Sequence, residues 1–407
     1  MKIHRPLAEA SADLVRSVFE EHRVLDHLIA EAFRKNTRWG KRDRNFVASS
    51  VWEVVRWRRA LAFIADSDDP RALLAAVWQR AGFEIPEWWK WQGAGRAGMK
   101  SRESDLIQQP RAIRESIPDW LDSLCEQELG GRWGGILSGL NQRAPVFLRA
   151  NTLLANREDL LSLLAAEGVE AHPVDGLPDA LRLSGTLPKR LLADGRFEIQ
   201  DGGSQLVAPM LDIQPGMRVV DACAGAGGKT LHLAALMRNE GELIALDVSE
   251  RKLSRLHQRA KAANVRNLQT MLSDPEWVKK NARSADRLLM DVPCSGLGTL
   301  RRQPDLKWRL NEAGLDRIKR TQRRLLDQYA TLLSPGGLFV YATCSVLPSE
   351  NEGQIEHLIQ RDHRWVVEEQ ASVTPASTDF DGFHMSRCRR GGAAQLPNAP
   401  SATNQEI

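Results

Sequence analysis

From Arg218 onward the chain repeats one pattern: a short apolar run, a turn, then a helix-length amphipathic segment. "RVVDACAG" leads into "KTLHLAALM", and "LIALDVS" into "ERKLSRLHQRAKAA". Then come "LQTMLSD", "ADRLLMDVPCSG", the helix "LDRIKRTQRRLLDQYATLL", "GLFVYATCS" and the helix "ENEGQIEHLIQ". Strands buried on both faces read as continuous apolar runs, and helices between them impose parallel pairing. The pattern predicts an α/β fold with a doubly wound, Rossmann-like sheet, whose ligands sit beyond the carboxyl ends of the strands.

The residues before this rhythm have a different texture. Leu14, Val15, Val18 and Phe19, then Leu25, Leu28, Ile29 and Phe33, then Phe46, Val47, Val51, Val54 and Val55 recur at three-and-four spacing, which predicts an all-α bundle. Between Glu87 and Asp105 the periodicity lapses and Gly, Ser and charge gather, so a long loop is expected there. "PVFLRANTL", "REDLLSLLAAEGV", "ALRLSG" and "RFEIQDGG" alternate strand and helix signals in a smaller α+β module. The expected organisation is a helical domain over 1–130, the small module over 131–205, the sheet domain over 206–390, and a disordered polar tail over 391–407.

The loop after the first strand of the sheet, "DACAGAGGKT", invites comparison with phosphate cradles, but alanine stands where a Walker A loop requires its first glycine, and the dinucleotide fingerprint also fails. A sulfonium-bearing ligand, S-adenosylmethionine, suits the acids better. Asp247 ends the second strand and can accept both ribose hydroxyls; Asp274 ends the third and can accept from an adenine amino group, or simply cap the helix that begins at Pro275.

Two further strand ends each carry a cysteine beside a serine: Cys294 in "DVPCSG" and Cys344 in "TCS". Five cysteines without a Cys-x-x-Cys pair or suitable His spacing indicate neither a disulfide framework nor a metal site. A chemistry that uses thiols at such positions is methylation of carbon 5 of a pyrimidine. That carbon becomes nucleophilic only after a thiolate adds at carbon 6, and a second thiol can help release the product.

These motifs, with the extension "GTLRRQPDLKW" and the closing "PSENE", resemble the Nop/Sun family of RNA cytosine-5 methyltransferases, across roughly Pro145 to Arg390. "GKRDRNFVASSVWEVVR" and "IPDWL" look more loosely like the NusB-type domain of the bacterial ribosomal RNA small subunit methyltransferase B group. The resemblance implies a class I methyltransferase sheet after an RRM-like module. It makes Cys344 the nucleophile and Cys294 the thiol that aids release. Asp291 then contacts cofactor and cytosine, and Lys229 lies beside the base. Cys223, Ala224, Gly225, Ala226, Gly227, Gly228 and Lys229, with Asp247, Asp274 and Asp291, form the pocket for S-adenosylmethionine. Two departures stand out: Ala226 occupies the place of a family proline, and His384 that of an aromatic in "DGFH". Cys125 and Cys388 are expected to be structural.

RNA is the expected partner, most of all 16S ribosomal RNA; transfer RNA, 23S ribosomal RNA and a weakly active assembly factor are the alternatives. With 56 basic against 52 acidic residues the net charge is only +4, so any RNA surface must be local. Arg301 and Arg302 after the Pro-Cys motif are candidates, as are Lys41, Arg42 and Arg44 in the turn "TRWGKRDRN"; a solvated basic face is the other reading of both. "RWRR" at Arg56 to Arg59 is a second cationic cluster. With neither a signal-like start nor a long apolar run, a cytoplasmic monomer without metal or membrane is expected.

Overall fold

The computed structural model describes residues 2–193, 195–391 and 405–406. They form two compact units: residues up to Gln142 together with Leu300–Asn311, and Arg143–Thr299 together with the residues from Glu312. The tail expected to be disordered lies outside the described residues, save Gly391 and the pair Gln405–Glu406.

The first unit is helical. Helices Arg5–Phe19, Leu25–Lys35, Lys41–Ala65 and Pro70–Arg80 bury the apolar stripes expected from their spacing, with Val15, Leu25, Val47, Val51, Val54 and Val55 wholly enclosed. Asp69 caps the fourth helix by accepting from the Ala72 N–H, and Pro70 supplies its first turn, where no N–H is needed. The expected loop over 87–105 is partly wrong: Arg96–Asp105 is a helix. It buries a single apolar residue, Met99, so no periodicity could betray it, and its own Arg102 ties it to Lys41–Ala65 by donating to the Phe63 carbonyl at 2.6 Å.

This unit also contains Leu300–Asn311, which in sequence belongs to the Pro-Cys motif of the sheet domain. Trp308 donates from its indole to the Val55 carbonyl at 2.7 Å and meets Phe19 edge-on. Lys307 is buried and donates to the Arg56 carbonyl at 2.8 Å; desolvation pulls its ammonium down to about 7. Arg56, buried as well, donates to the Arg301 carbonyl at 3.0 Å, and Arg59 pairs with Asp119 at 2.8 Å. Two cations of "RWRR" are thereby committed to internal partners.

In the second unit, β1 (Val146–Ala150), β2 (Ala171–Val174), β3 (Leu177–Leu183) and β4 (Phe197–Ile199) make a small antiparallel sheet of order β2-β3-β1-β4. The large sheet comprises β5 (Arg218–Asp221), β6 (Glu242–Asp247), β7 (Leu268–Leu272), β8 (Ala285–Asp291), β9 (Leu333–Thr343), β10 (Trp365–Val373) and β11 (Phe383–Arg390). Its order is β10-β11-β9-β8-β5-β6-β7, with Gln405–Glu406 pairing at the β10 edge. β5 to β9 are mutually parallel, as the α/β rhythm predicts, and the order reverses beside β5, which opens the ligand crevice at the ends of β5, β6 and β8.

The antiparallel pair β10 and β11 was not expected. Its sequences "WVVEEQASV" and "FHMSRCRR" are too charged to read as strands, and the charges are spent between the strands: Arg387 on β11 reaches Glu368 on β10 at 3.2 Å, and Arg389 pairs with the same carboxylate.

Candidate active site

β8 and β9 are neighbouring parallel strands, and Asp291 lies opposite Ala342 in their register. The loops that follow therefore leave the sheet side by side, bringing Cys294 Sγ to 3.3 Å from Cys344 Sγ. Close backbone approach makes this possible. The Gly298 N–H donates to the Cys344 carbonyl at 2.9 Å, and its own carbonyl accepts from the Gly382 N–H at 2.8 Å. A Cβ at position 298 would stand 2.1 Å from the Gly382 oxygen and 2.8 Å from the Cys344 oxygen, so glycine is required here. The neighbouring Cys344 sulfur and burial hold the Cys294 thiol well above its ordinary range, with the Glu350 carboxylate adding to the shift. Either sulfur can donate to the other across this contact.

On the β5 side, Lys229 stands nearly buried in the first turn of the helix Gly228–Leu236. Its Nζ lies 2.8 Å from Asp291 Oδ2 and 5.0 Å from the centre of the Phe383 ring. Phe383 was not singled out in sequence; it is the aromatic that survives beside His384 in "DGFH". His384 itself is buried in β11 between the hydroxyls of Ser372 and Ser386, each 2.8 Å away, and desolvation takes its imidazole down to about 3. It is a satisfied core histidine.

The cofactor loop closes around Gly225 and Gly227, whose φ values of 57° and 92° lie in the left-handed region. Asp247, 7% exposed, accepts from the Gly225 N–H at 2.9 Å on one oxygen and from the Ser249 N–H at 2.8 Å on the other. Each oxygen keeps one lone pair for a ligand. Ala226, where the family has proline, is braced from behind. Arg259 donates to the Ala226 carbonyl and pairs with Glu198, while the wholly buried Arg149 donates to the Gly228 carbonyl at 2.9 Å. Asp274 is exposed and caps the helix Pro275–Lys280 through the Glu276 N–H at 2.9 Å, the simpler of its two expected roles. Cys223 lies beside the loop, its thiol pushed up by burial.

Asp221 belongs to this site and was passed over, although an acid at the end of the first parallel strand was the available signal. It is buried; Thr230 donates to Oδ2 at 2.7 Å, and Oδ1 has no hydrogen-bond partner. Desolvation raises its carboxyl to about 7, and Asp291 adds to the shift. Asp221, Asp247 and Asp291 gather around a loop of exposed backbone, with Lys229 paired to Asp291 at 2.8 Å and Lys252 Nζ 3.9 Å from Asp247. That donor set fits a cationic, ribose-bearing ligand such as S-adenosylmethionine and repels a polyphosphate.

Of the residues proposed for RNA contact, Arg301 is 5% exposed and packed in the helical unit, which corrects the expectation of an open basic loop; Arg302 beside it is half-buried. Arg44 donates to the Trp39 carbonyl at 3.0 Å and covers the Phe33 ring, so its guanidinium serves its own turn. Lys41 and Arg42 are exposed in the first turn of Lys41–Ala65 and border a groove of about 570 Å³ with Phe46, Trp78 and Phe83. Among the described residues no helix is long and apolar enough to cross a membrane, and no cluster of His, Cys, Asp and Glu could hold a metal.

A family model described as 16S rRNA methyltransferase RsmB/F matches residues 208–389, and one described as an RsmF/B-like ferredoxin-like domain matches 117–189. "Probable ribosomal RNA small subunit methyltransferase B" of Synechocystis sp. is 38% identical over 260 residues, covering 61% of this chain. The chain spans 58% of that relative's length. In fold, the crystal structure of PH0851 superposes with a TM-score of 0.78 at 22% identity, covering 96% of this chain and 100% of that one. NSun6 from Pyrococcus horikoshii with SFG, an S-adenosylmethionine analogue, gives 0.62 at 20% identity, covering 68% of this chain and 98% of its own.

Proposed function

Across residues 117–189 and 208–389 this chain belongs to the RsmB/F family of 16S rRNA methyltransferases, and from that premise we propose that it methylates carbon 5 of a cytosine in 16S ribosomal RNA through a covalent bond to Cys344. The observation that carries the proposal is the 3.3 Å approach of two sulfurs from separate strand-end loops, on the rim where Lys229 and Asp291 pair. S-adenosylmethionine, held by the loop 223–229 with Asp221 and Asp247, supplies an electrophilic methyl group on sulfur.

Cys344 gives up its proton to solvent, and its thiolate bonds to carbon 6 of the ring. The electrons of the carbon 5–carbon 6 double bond make carbon 5 the nucleophile that takes the methyl, the broken C–S pair returning to the donor sulfur as a neutral thioether. Lys229, oriented by Asp291 and standing over Phe383, places N–H donors beside the base, where negative charge develops. A water molecule acting as base takes the carbon 5 proton, which restores the double bond and expels the Cys344 thiolate. Cys294, still protonated at its side, assists that departure.

Cys344→Ala abolishes both methyl transfer and the covalent protein–RNA adduct, whereas Cys294→Ala accumulates an adduct that survives denaturing electrophoresis. An adduct formed by Cys344→Ala would reverse the roles. Bisulfite sequencing of total RNA with and without the gene then identifies the substrate; a methylcytosine lost from transfer RNA or 23S ribosomal RNA would overturn the choice of 16S.

A further inference from the structure

Each reacting cysteine is followed by a serine, and both serines are buried against one carboxylate. Glu350, in the turn Pro348–Glu350, is wholly enclosed. Its Oε1 accepts from the Ser295 N–H at 2.8 Å and from Gln322 Nε2 at 3.0 Å. Its Oε2 accepts from the hydroxyls of Ser295 and Ser345. Gln322, on the helix Glu312–Tyr329, also donates to the carbonyl of Pro293, directly before Cys294, at 3.0 Å. The main-chain carbonyl of Glu350 accepts from Tyr341 on β9, the strand that ends beside Cys344, at 2.7 Å. Four donors fill the acceptor capacity of one carboxylate; deleting it would strand the Ser295 N–H and one Gln322 N–H and leave the two serine hydroxyls, 3.3 Å apart, with only each other.

We propose that Glu350 is a positioning residue for the two thiols: it touches neither sulfur, but fixes the serine beside each and so sets their separation. This rests on Cys344 and Cys294 being the reacting pair. Geometry of this kind matters because a misplacement of about 1 Å can cost about a hundredfold in rate. "PSENE" then has a physical reason for its first glutamate: a side chain long enough to reach both loops, with two oxygens to hold one each.

The test uses the full-length chain with Glu350→Ala, Glu350→Gln and Ser345→Ala. The rate of Cys294–Cys344 disulfide formation with diamide is followed as a pH profile, which separates thiol geometry from the change in thiolate fraction on losing the Glu350 charge. The two thiols pass two electrons and two protons to the N=N bond, and peptides are quantified by mass spectrometry without reduction. Melting temperature and steady-state methyl transfer are measured alongside. In Glu350→Ala the disulfide forms about tenfold more slowly and kcat falls about a hundredfold, while KM for S-adenosylmethionine stays within about twofold. Gln keeps the length and one acceptor oxygen and restores part of both rates. If Glu350→Ala does not fold, Ser345→Ala removes one arm of the clamp and shows the same two losses in smaller measure. A folded Glu350→Ala or Ser345→Ala with the wild-type disulfide rate overturns the proposal, whatever its kcat. A wild-type chain whose disulfide rate depends on Glu350 but which methylates no RNA sinks the proposed reaction and leaves the positioning role standing.

Discussion

Asp221 holds a carboxyl in the protein interior with one oxygen bonded to Thr230 and the other unmatched. Its raised pKa means that the folded chain favours the protonated form. Stability from this group is therefore present below the ordinary carboxylate range and is lost as pH rises toward about 7. Asn, which resembles the protonated acid, should raise the melting temperature by several degrees at pH 8 and by less at pH 5, while weakening S-adenosylmethionine binding; thermal scans at the two pH values with calorimetry check both. Cys294, Cys344, Lys229, Asp247 and Asp291 were legible in sequence because each lies in a short motif at the end of an apolar run. Glu350, inside "PSENE", carries no such signal: its partners Ser295, Gln322 and Ser345 come from three segments that only the fold unites. Phe383 and Asp221 were hidden differently, as ordinary residues whose meaning depends on burial.

Among the elements, the cofactor loop shows how a missing rigid residue is offset. Without a proline at 226, the main chain is held by guanidinium groups from the helix Glu250–Ala262 and from β1, elements that no local pattern connects with it. Arg259→Ala frees the Ala226 carbonyl and leaves Glu198 without its partner, so the loop must be ordered on binding. Affinity for S-adenosylmethionine should fall about tenfold, equivalent to about 1.4 kcal/mol, by calorimetry, with the disulfide rate of the thiol pair unchanged. The parallel strands were readable because burial on both faces makes them uniformly apolar. β10 and β11 escaped because their cross-strand ion pairs write charge where strand patterns show none.

At the scale of the whole molecule, the unexpected feature is that the helical unit is not a contiguous stretch of chain. Leu300–Asn311 supplies it with Trp308 and with the buried Lys307, which donates to Arg56 and, at 3.4 Å, to Asn141. In sequence Arg301 and Arg302 read as RNA contacts or a solvated basic loop, because two arginines after the Pro-Cys motif suit phosphates; nothing local marks the segment as core. Trp308→Ala should cost the helical unit about 3 kcal/mol, followed by denaturant unfolding monitored by hydrogen exchange in helices Arg5–Phe19 and Lys41–Ala65. The interruption also sets an order of events during synthesis. Residues 143–299 must be made before the helical unit can acquire its last segment, on the order of ten to thirty seconds at ordinary elongation rates. For that interval the nascent helices carry an unfilled apolar seat for Trp308, exposed to water until residue 311 emerges.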